Sequence, residues 1–423
     1  SATAAGLLVP TSLWAKPRGI LGANNSLRLG LIGCNGMGFS NLSAFMQQPD
    51  VEVVALCDVD PSVLERRQAE VLASGRTKPE GYSDYRKLLE RQDIDAVIIG
   101  TPDHWHCRQL LDAIDAGKDV YCEKPIANSI GEADRMRNAV HSSDRIVQIG
   151  QWQRSQPHFV DAIAFVHSGA LGPIRLVKAW AYQGWMQPVP VLPDSPAPEG
   201  VDYDMWLGPA PKRAFNPNRF HFNFRWFWDY AGGLMTDWGV HLIDYALYGM
   251  QATTPKSVMA SGGKFAYADD ASETPDTLQT VYEFDGFNLL WEHATGIDGG
   301  NYGRNHGIAF VGNNATLVVD RGGWEVIPEP KGGSPTLERV DLIKGDGKGL
   351  HNHMVNFIDG IKNGAKLNCP VEIAAGVART CHLGNIAYKT GRRLYWDSAS
   401  SKFINDTEAD SYLVPEYRKP WTL

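Results

Sequence analysis

The segment from Leu27 to Gly38 constrains this chain more than any other. Leu27–Ile32 reads L-R-L-G-L-I, a short apolar strand, and runs into Gly33-Cys34-Asn35-Gly36-Met37-Gly38, with a helical pattern from Ser40 onward. Residues 51–56 (V-E-V-V-A-L) predict a second strand, with Asp58 just past its end. Strand, glycine turn, helix, strand is the order of a βαβ nucleotide-binding unit, in which a pyrophosphate meets the helix N-terminus. On the G-x-G-x-x-G template the outer glycines are Gly33 and Gly38, Asn35 holds the middle place, and Gly36 follows one residue late. Asparagine tolerates a left-handed backbone better than most residues, so the turn is expected to survive with Asn35 there. Asp58 lies where a carboxylate accepts hydrogen bonds from the adenosine ribose and repels a 2′-phosphate. NAD is therefore expected rather than NADP.

The alternation continues. Residues 96–100 (A-V-I-I-G) form an apolar strand before Thr101-Pro102-Asp103-His104-Trp105-His106, and a helix follows with apolar spacing at Leu110, Leu111 and Ile114. Residues 119–122 (D-V-Y-C) form another strand, ending in Glu123-Lys124-Pro125, and residues 146–151 read as the last strand and the crossover. Strands alternating with helices imply a parallel sheet. Ligands on such sheets sit at the carboxyl ends of strands. Asp58, the 101–106 loop and Glu123-Lys124-Pro125 all belong to that edge.

The chain has 423 residues, with 43% hydrophobic and 21% charged side chains, which is ordinary for a globular protein of two or three domains. The net charge of −8 argues against a nucleic-acid partner, which requires a basic face. No apolar run reaches the roughly 18 residues of a membrane span. Cys34, Cys57, Cys107, Cys122, Cys369 and Cys381 contain no C-x-x-C pair. They read as reduced and structural, with no zinc site. His351-Asn352-His353 opens an apolar helix without the context of a ligand set, so no metal is expected. Residues 1–26, beginning S-A-T-A-A-G-L-L-V-P, read either as the apolar end of a secretory signal, similar to a twin-arginine signal, or as an N-terminal arm. The first reading places the protein in the periplasm or otherwise outside the cytoplasm, the second in the cytoplasm.

The combination of Gly33 to Gly38, Asp58, Thr101-Pro102 with His106, Glu123-Lys124-Pro125 and a later G-G-L-M-T-D-W-G-V-H-L-I-D run (residues 232–244) resembles the Gfo/Idh/MocA oxidoreductases over residues 27 to about 396. The resemblance implies an α/β fold: a Rossmann NAD-binding domain (27–150), then an α+β substrate-binding and oligomerisation domain (151–423) with a large open, mainly antiparallel sheet. It implies a homo-dimer or homo-tetramer through that sheet. Residues 175–182, 277–284, 288–293, 307–311 and 315–319 read as its strands, and 350–363 and 374–390 as helices. The Pro-rich stretch 187–211 reads as a long loop near the site or an interface. The cofactor residues implied are Gly33, Cys34, Asn35, Gly36, Met37, Gly38, Asp58, Thr101, Pro102, His106, Glu123 and Lys124. Of these, Glu123 would contact the nicotinamide ribose, and a purely structural role stands beside the cofactor role for His106.

Hydride transfer from an alcohol needs a base for the hydroxyl proton and a donor for the developing oxyanion. Lys124, at a strand's carboxyl end, can supply the donor. Asp237 and His241 are spaced i, i+4 and would share one face of a helix. His241 can act as the base, and Asp237 can orient it or hold a substrate hydroxyl. In the family this lysine, aspartate and histidine form the catalytic set. Six of the 13 Trp fall between Trp180 and Trp238. Aromatic platforms with polar neighbours suit sugar rings, so Gln151, Gln153, Arg154, Trp180, Tyr182, Trp185, Arg225 and Trp228 are the candidate substrate contacts, with core packing as the alternative. The expected activity is an NAD-dependent sugar or glycoside oxidoreductase. Export would favour a tightly bound cofactor, recycled in place. Two alternatives stand beside it: a redox glycosidase that oxidises, eliminates, hydrates and reduces with internally recycled NAD, and a non-catalytic NAD- and sugar-binding sensor.

Overall fold

The computed structural model describes residues 26–333 and 335–423, so the expectations for residues 1–25 lie outside the described residues. The first half builds a six-stranded sheet from β1 (Leu27–Ile32), β2 (Val51–Cys57), β3 (Glu80–Tyr82), β4 (Ala96–Ile99), β5 (Asp119–Cys122) and β6 (Val147–Ile149). Its order is β3-β2-β1-β4-β5-β6 and every pairing is parallel. That is the doubly wound dinucleotide-binding order, with the strand order reversing between β1 and β4. β1, β4 and β5 are buried along almost their whole length because helices cover both faces. Their continuous apolar runs are the reason the sheet is legible in the sequence.

The second half forms a ten-stranded sheet from β7 (Ile174–Gln183), β8 (Ser257–Gly263), β9 (Thr277–Glu283), β10 (Asn288–Thr295), β11 (His306–Gly312), β12 (Ala315–Asp320), β13 (Gly323–Pro328), β14 (Val340–Lys344), β15 (Leu394–Asp397) and β16 (Lys402–Phe403). The order is β14-β13-β12-β11-β7-β10-β9-β8-β15-β16, with β7 and β10 parallel and the remaining neighbours antiparallel. Val177, Ala179 and Ala181 on β7 join Leu289 and Trp291 on β10 in one large core. The helices Pro157–His167, Gly239–Met250 and Val371–Thr390 contribute to that core. The opposite face carries a cross-strand row of Leu290, Val281 and Met259, the last 44% exposed. All six cysteines are buried and unbridged. Among the described residues no helix is long and apolar enough to cross a membrane.

Candidate active site

The glycine loop follows from sterics. Gly33 sits at φ +85, and a Cβ there would come within 2.7 Å of the Gly100 carbonyl carbon and the Thr101 nitrogen. A Cβ on Gly38 would lie 2.0 Å from the Gly33 carbonyl oxygen. Both glycines let the helix Gly36–Phe45 approach β1 and β4 closely, as a pyrophosphate cradle requires. Besides Gly33, the positive-φ residue of the loop is Gly36 (φ +47), whereas Asn35 is extended at φ −95. The expectation that Asn35 itself absorbs the left-handed turn is corrected: the late glycine does so, and Asn35 is freed to meet His221 Nδ1 at 3.3 Å. No side chain caps this helix, so its first N–H groups remain available to an anion.

A cleft of about 580 Å³ runs along the carboxyl edge of the parallel sheet. Gly33, Asn35, Gly36, Met37, Asp58, Thr101, Pro102, Glu123 and Lys124 line it. Cys34, Gly38 and His106 do not. Cys34 faces inward, donating its Sγ–H to the Cys57 carbonyl and its backbone N–H to Asp58 Oδ2 at 2.8 Å. Gly38 acts from beneath, through the clearance described above. His106 is 1% exposed, with its two ring nitrogens 2.7 and 2.8 Å from the Pro125 and Thr101 carbonyls, to one of which the neutral ring donates. It braces two cleft loops against each other.

Asp58 accepts the N–H groups of Cys34 and Asp60, and burial raises its carboxyl above the usual range. Glu123 is 4% exposed, accepts from Asn41 Nδ2 at 2.7 Å and from the Lys124 N–H at 3.0 Å, and is raised by burial. At the inner end of the cleft, Lys124 Nζ meets Asp237 Oδ1 at 2.8 Å and the Asp237 carbonyl at 2.9 Å. Arg225 Nε lies 3.6 Å from the same Oδ1. Burial alone would raise the Asp237 carboxyl, but Lys124 and Arg225 overcome it and hold it at about 2.

Asp237 ends the short helix Gly233–Asp237, and His241 lies in the first turn of Gly239–Met250, with Trp238 between the two helices. Asp237 is engaged by Lys124 and Arg225, and no hydrogen bond joins it to the imidazole; of the two roles expected for it this corrects the orienting of His241 and leaves the holding of a substrate hydroxyl. His241 is 4% exposed, with Nδ1 sealed and unpartnered. Burial first, then Lys124 and Arg321, push its pKa well below the usual value, so the ring is neutral and takes up a proton less readily than a free imidazole. Asp103, in the first turn of Asp103–Asp115, also lines the cleft and is pushed up to about 8 by burial.

The Pro-rich stretch proves to be part of a strap. Met205, Trp206, Phe220, His221, Phe222 and Phe224 line the cleft from the second half of the chain. The strap is fastened to the first half by Asp202 N to Val59 O at 3.0 Å, by His221 Nε2 to Asp60 Oδ2 at 3.0 Å, and by the Trp206 carbonyl, which accepts from both His104 and Trp105 at 3.0 Å. Sequence reasoning missed these residues, since strand and glycine patterns give no sign of a segment about 100 residues or more away in the chain, as with Trp206 and His104.

Of the eight candidate substrate contacts, Arg225 lines the main cleft, and Trp185, 54% exposed, lines a neighbouring hollow of about 260 Å³. The other six are held elsewhere. Gln151 donates to the Val240 carbonyl, and Arg154 is locked to Asp244 by three bonds. Trp180 is fully buried on the face of β7 opposite the main core and donates to the Arg304 carbonyl; Tyr182, two residues on, lies beside Glu292. Trp228 donates to the Glu273 carbonyl and stacks on Tyr388. Gln153 holds Arg321. These residues pack or brace the fold, and none of them lines the cleft. His353 is likewise held by Ser155 and the Ile149 carbonyl, and no group of three or more potential metal ligands occurs among the described residues.

The same two-part organisation is found in known proteins. Residues 27–151 match the Gfo/Idh/MocA oxidoreductase family's NAD-binding Rossmann fold, and residues 165–315 match the family's C-terminal alpha/beta domain. The chain belongs to the Gfo/Idh/MocA oxidoreductases. Among curated relatives, a glycosyl hydrolase family 109 protein of Shewanella sp. (strain ANA-3) is 37% identical over 110 residues, 25% of this chain and 24% of that protein. An alpha-N-acetylgalactosaminidase of Shewanella oneidensis is 37% identical over the same shares. The chain thus spans about a quarter of the length of these relatives. Levoglucosan dehydrogenase in complex with NADH and L-sorbose has a TM-score of 0.66 at 20% identity, covering 88% of this chain and 99% of that one. The WlbA dehydrogenase of Bordetella pertussis, in complex with NADH and UDP-GlcNAcA, has a TM-score of 0.64 at 19% identity over 88% and 99%. At these identities the likeness is one of fold.

Proposed function

We propose that this Gfo/Idh/MocA oxidoreductase oxidises a ring hydroxyl of a sugar or glycoside, with Lys124, Asp237 and His241 as the reacting constellation. NAD, when bound, supplies the hydride acceptor. The residues fit it: Gly33 and Gly38 leave the clearance a pyrophosphate needs, the helix from Gly36 offers free N–H groups, and Asp58 stands ready for the ribose diol. The observation that carries the reading is the Lys124–Asp237 pair in that cleft, with the buried imidazole of His241 behind the lining and near enough for the Lys124 charge to act on it.

Lys124 Nζ, steadied by Asp237, donates to the substrate oxygen and holds its developing negative charge. His241 accepts the hydroxyl proton as the C–H hydride departs, and returns it in the reverse direction. Asp237, ionised at any ordinary pH, balances the ammonium. NAD is favoured over NADP because Asp58 opposes a 2′-phosphate and the nearby arginines are engaged: Arg67 with Glu70 and the Cys34 carbonyl, Arg66 with Glu70 and Asn35. The strap over the cleft supports a cofactor retained between turnovers. Retention suits export, one of the two readings of the N-terminal segment, and the open sheet face with its Leu290–Val281–Met259 row suits a homo-dimer or tetramer.

A second reading, a redox glycosidase, is favoured by the relatives named as glycosyl hydrolase family 109 proteins. One experiment separates the two. Protein purified without added cofactor is titrated with sugars, glycosides and keto sugars while the reduced-nicotinamide absorbance is followed. Reduction by one class and reoxidation by another supports the oxidoreductase; aglycone release without net reduction supports the glycosidase; no absorbance change and no release with any compound would refute both.

A further inference from the structure

Arg321 stands in the tight turn between β12 and β13. Its guanidinium lies between two indoles, 4.8 Å from the Trp152 ring centre and 4.5 Å from that of Trp238. Its hydrogen bonds run from Nε and Nη2 to one acceptor, Gln153 Oε1, both at 3.2 Å. Among the described residues it makes no ion pair. The carboxylate beside it in sequence, Asp320, is committed to Arg304 at 3.0 Å and to the N–H groups of Gly322 and Gly323. Burial lowers the Arg321 pKa to about 10, against a partial opposing pull from Asp237.

Arg321 is half-buried, and a guanidinium taken partly out of water without an ion-pair partner carries a cost that an arriving anion would offset. The two indoles fix its plane. Gln153 occupies the Nε–Nη2 edge, which leaves Nη1 and the second Nη2 hydrogen as a fork matched to the two oxygens of a carboxylate. Arg321 lies outside the residues that line the cleft but close to the reacting groups: Trp238 directly follows Asp237, Trp152 and Trp238 both flank His241, and the charge of Arg321 acts on Asp237 and His241. Lys124 and Arg225 already share Asp237, so the surroundings add no free negative charge.

We infer that Arg321 is a specificity residue that anchors a carboxylate on the substrate ring, so that the preferred substrates are uronates and their glycosides rather than neutral sugars. This rests on the sugar-oxidation reading above and names its substrate class. Charge-assisted hydrogen bonds of this kind correspond to roughly 10- to 100-fold in affinity.

The test compares glucuronate with glucose, and their methyl glycosides, on holoenzyme. The expected kcat/KM ratio is at least about 10 in favour of the uronate, falling toward about 1 in Arg321→Gln and less in Arg321→Lys. Binding is read independently of turnover by tryptophan quenching and melting shift with glucuronate, glucose and inorganic phosphate. Glucuronate binding that needs Arg321, without reduction of bound cofactor by any sugar, would refute the oxidation reading and leave the carboxylate site standing. Sugar oxidation without a uronate preference in wild-type protein would overturn the site and leave the oxidation reading standing. Phosphate binding as tight as glucuronate would also overturn it, by assigning the fork to a different anion. If Arg321→Gln loses its bound nicotinamide, the wild-type ratio and the Arg321→Lys variant still decide.

Discussion

Replacing Lys124 with alanine tests the site at its centre, because two effects with different pH signatures follow from one contact. Lys124 and Asp237 are 14% and 16% exposed and meet at 2.8 Å. The carboxyl of Asp237 is held at about 2 rather than near 3.8, against the pull of burial, chiefly by Lys124 and then Arg225. A carboxyl lowered this way contributes ~2 kcal/mol of folding free energy, present above about pH 4 and lost as pH falls through about 2. Arg225 at 3.6 Å stays behind in the variant, so Lys124→Ala should cost ~1–2 kcal/mol near neutrality. That gap should close as the solution is acidified from about pH 4 toward pH 2. The kinetic effect is larger. Removing one donor to a developing oxyanion costs about 10²–10³ in rate, so single-turnover reduction of bound NAD should slow by that factor while the nicotinamide remains on the protein. Stopped-flow absorbance gives the rate, and urea unfolding across pH gives the stability. A variant that retains cofactor and reduces it within about threefold of the wild-type rate would refute the assignment of Lys124 to the reacting oxygen; a stability gap independent of pH would refute the ion pair as its source.

Gly38→Ala places a Cβ 2.0 Å from the Gly33 carbonyl, so the cradle must open; bound nicotinamide should be lost from purified protein with little change in secondary structure by circular dichroism. Asp58→Ser removes the carboxylate that opposes a 2′-phosphate, and the preference for NAD over NADP in equilibrium binding should fall by about tenfold or more. Asp103, pushed up to about 8, favours its protonated form in the fold, so its contribution is complete below about pH 4 and disappears as pH rises through 8. Asp103→Asn should therefore gain stability relative to wild type as pH rises over that window, by a few kcal/mol in urea unfolding of cofactor-free protein.

The parallel sheet was legible because its signals are local. A strand buried on both faces is apolar throughout, and Gly38 is forced by the Gly33 carbonyl five residues earlier, although Gly33 itself is forced by Gly100 and Thr101 from the adjacent strand end. Asp58 could be placed because it directly follows a strand end, and Lys124 because it lies two residues past one. The substrate side was much less legible. Trp180 and Ala179 are both compatible with burial, and only the register of β7 between β10 and β11 decides which face each takes. Gln151, Gln153 and Arg154 look like ligands as polar residues at a domain crossover, yet their partners Val240, Arg321 and Asp244 lie 89, 168 and 90 residues away. The i, i+4 spacing of Asp237 and His241 suggested a working pair, but the carboxylate turns to the stronger attraction of two cations.

What the linear chain determined by itself is therefore the dinucleotide half: its alternation of strands and helices, its glycine turn, and the residues just past its strand ends, since each is signalled by neighbours along the backbone. What only the tertiary structure decided is the reacting end of the cleft. Lys124 meets Asp237 across 113 residues, the strap carrying Trp206 and His221 closes over the far half, and Arg321 is left between two indoles without a counter-ion. Charge pairing and desolvation depend on what surrounds a side chain in three dimensions, and no spacing along the chain encodes that directly.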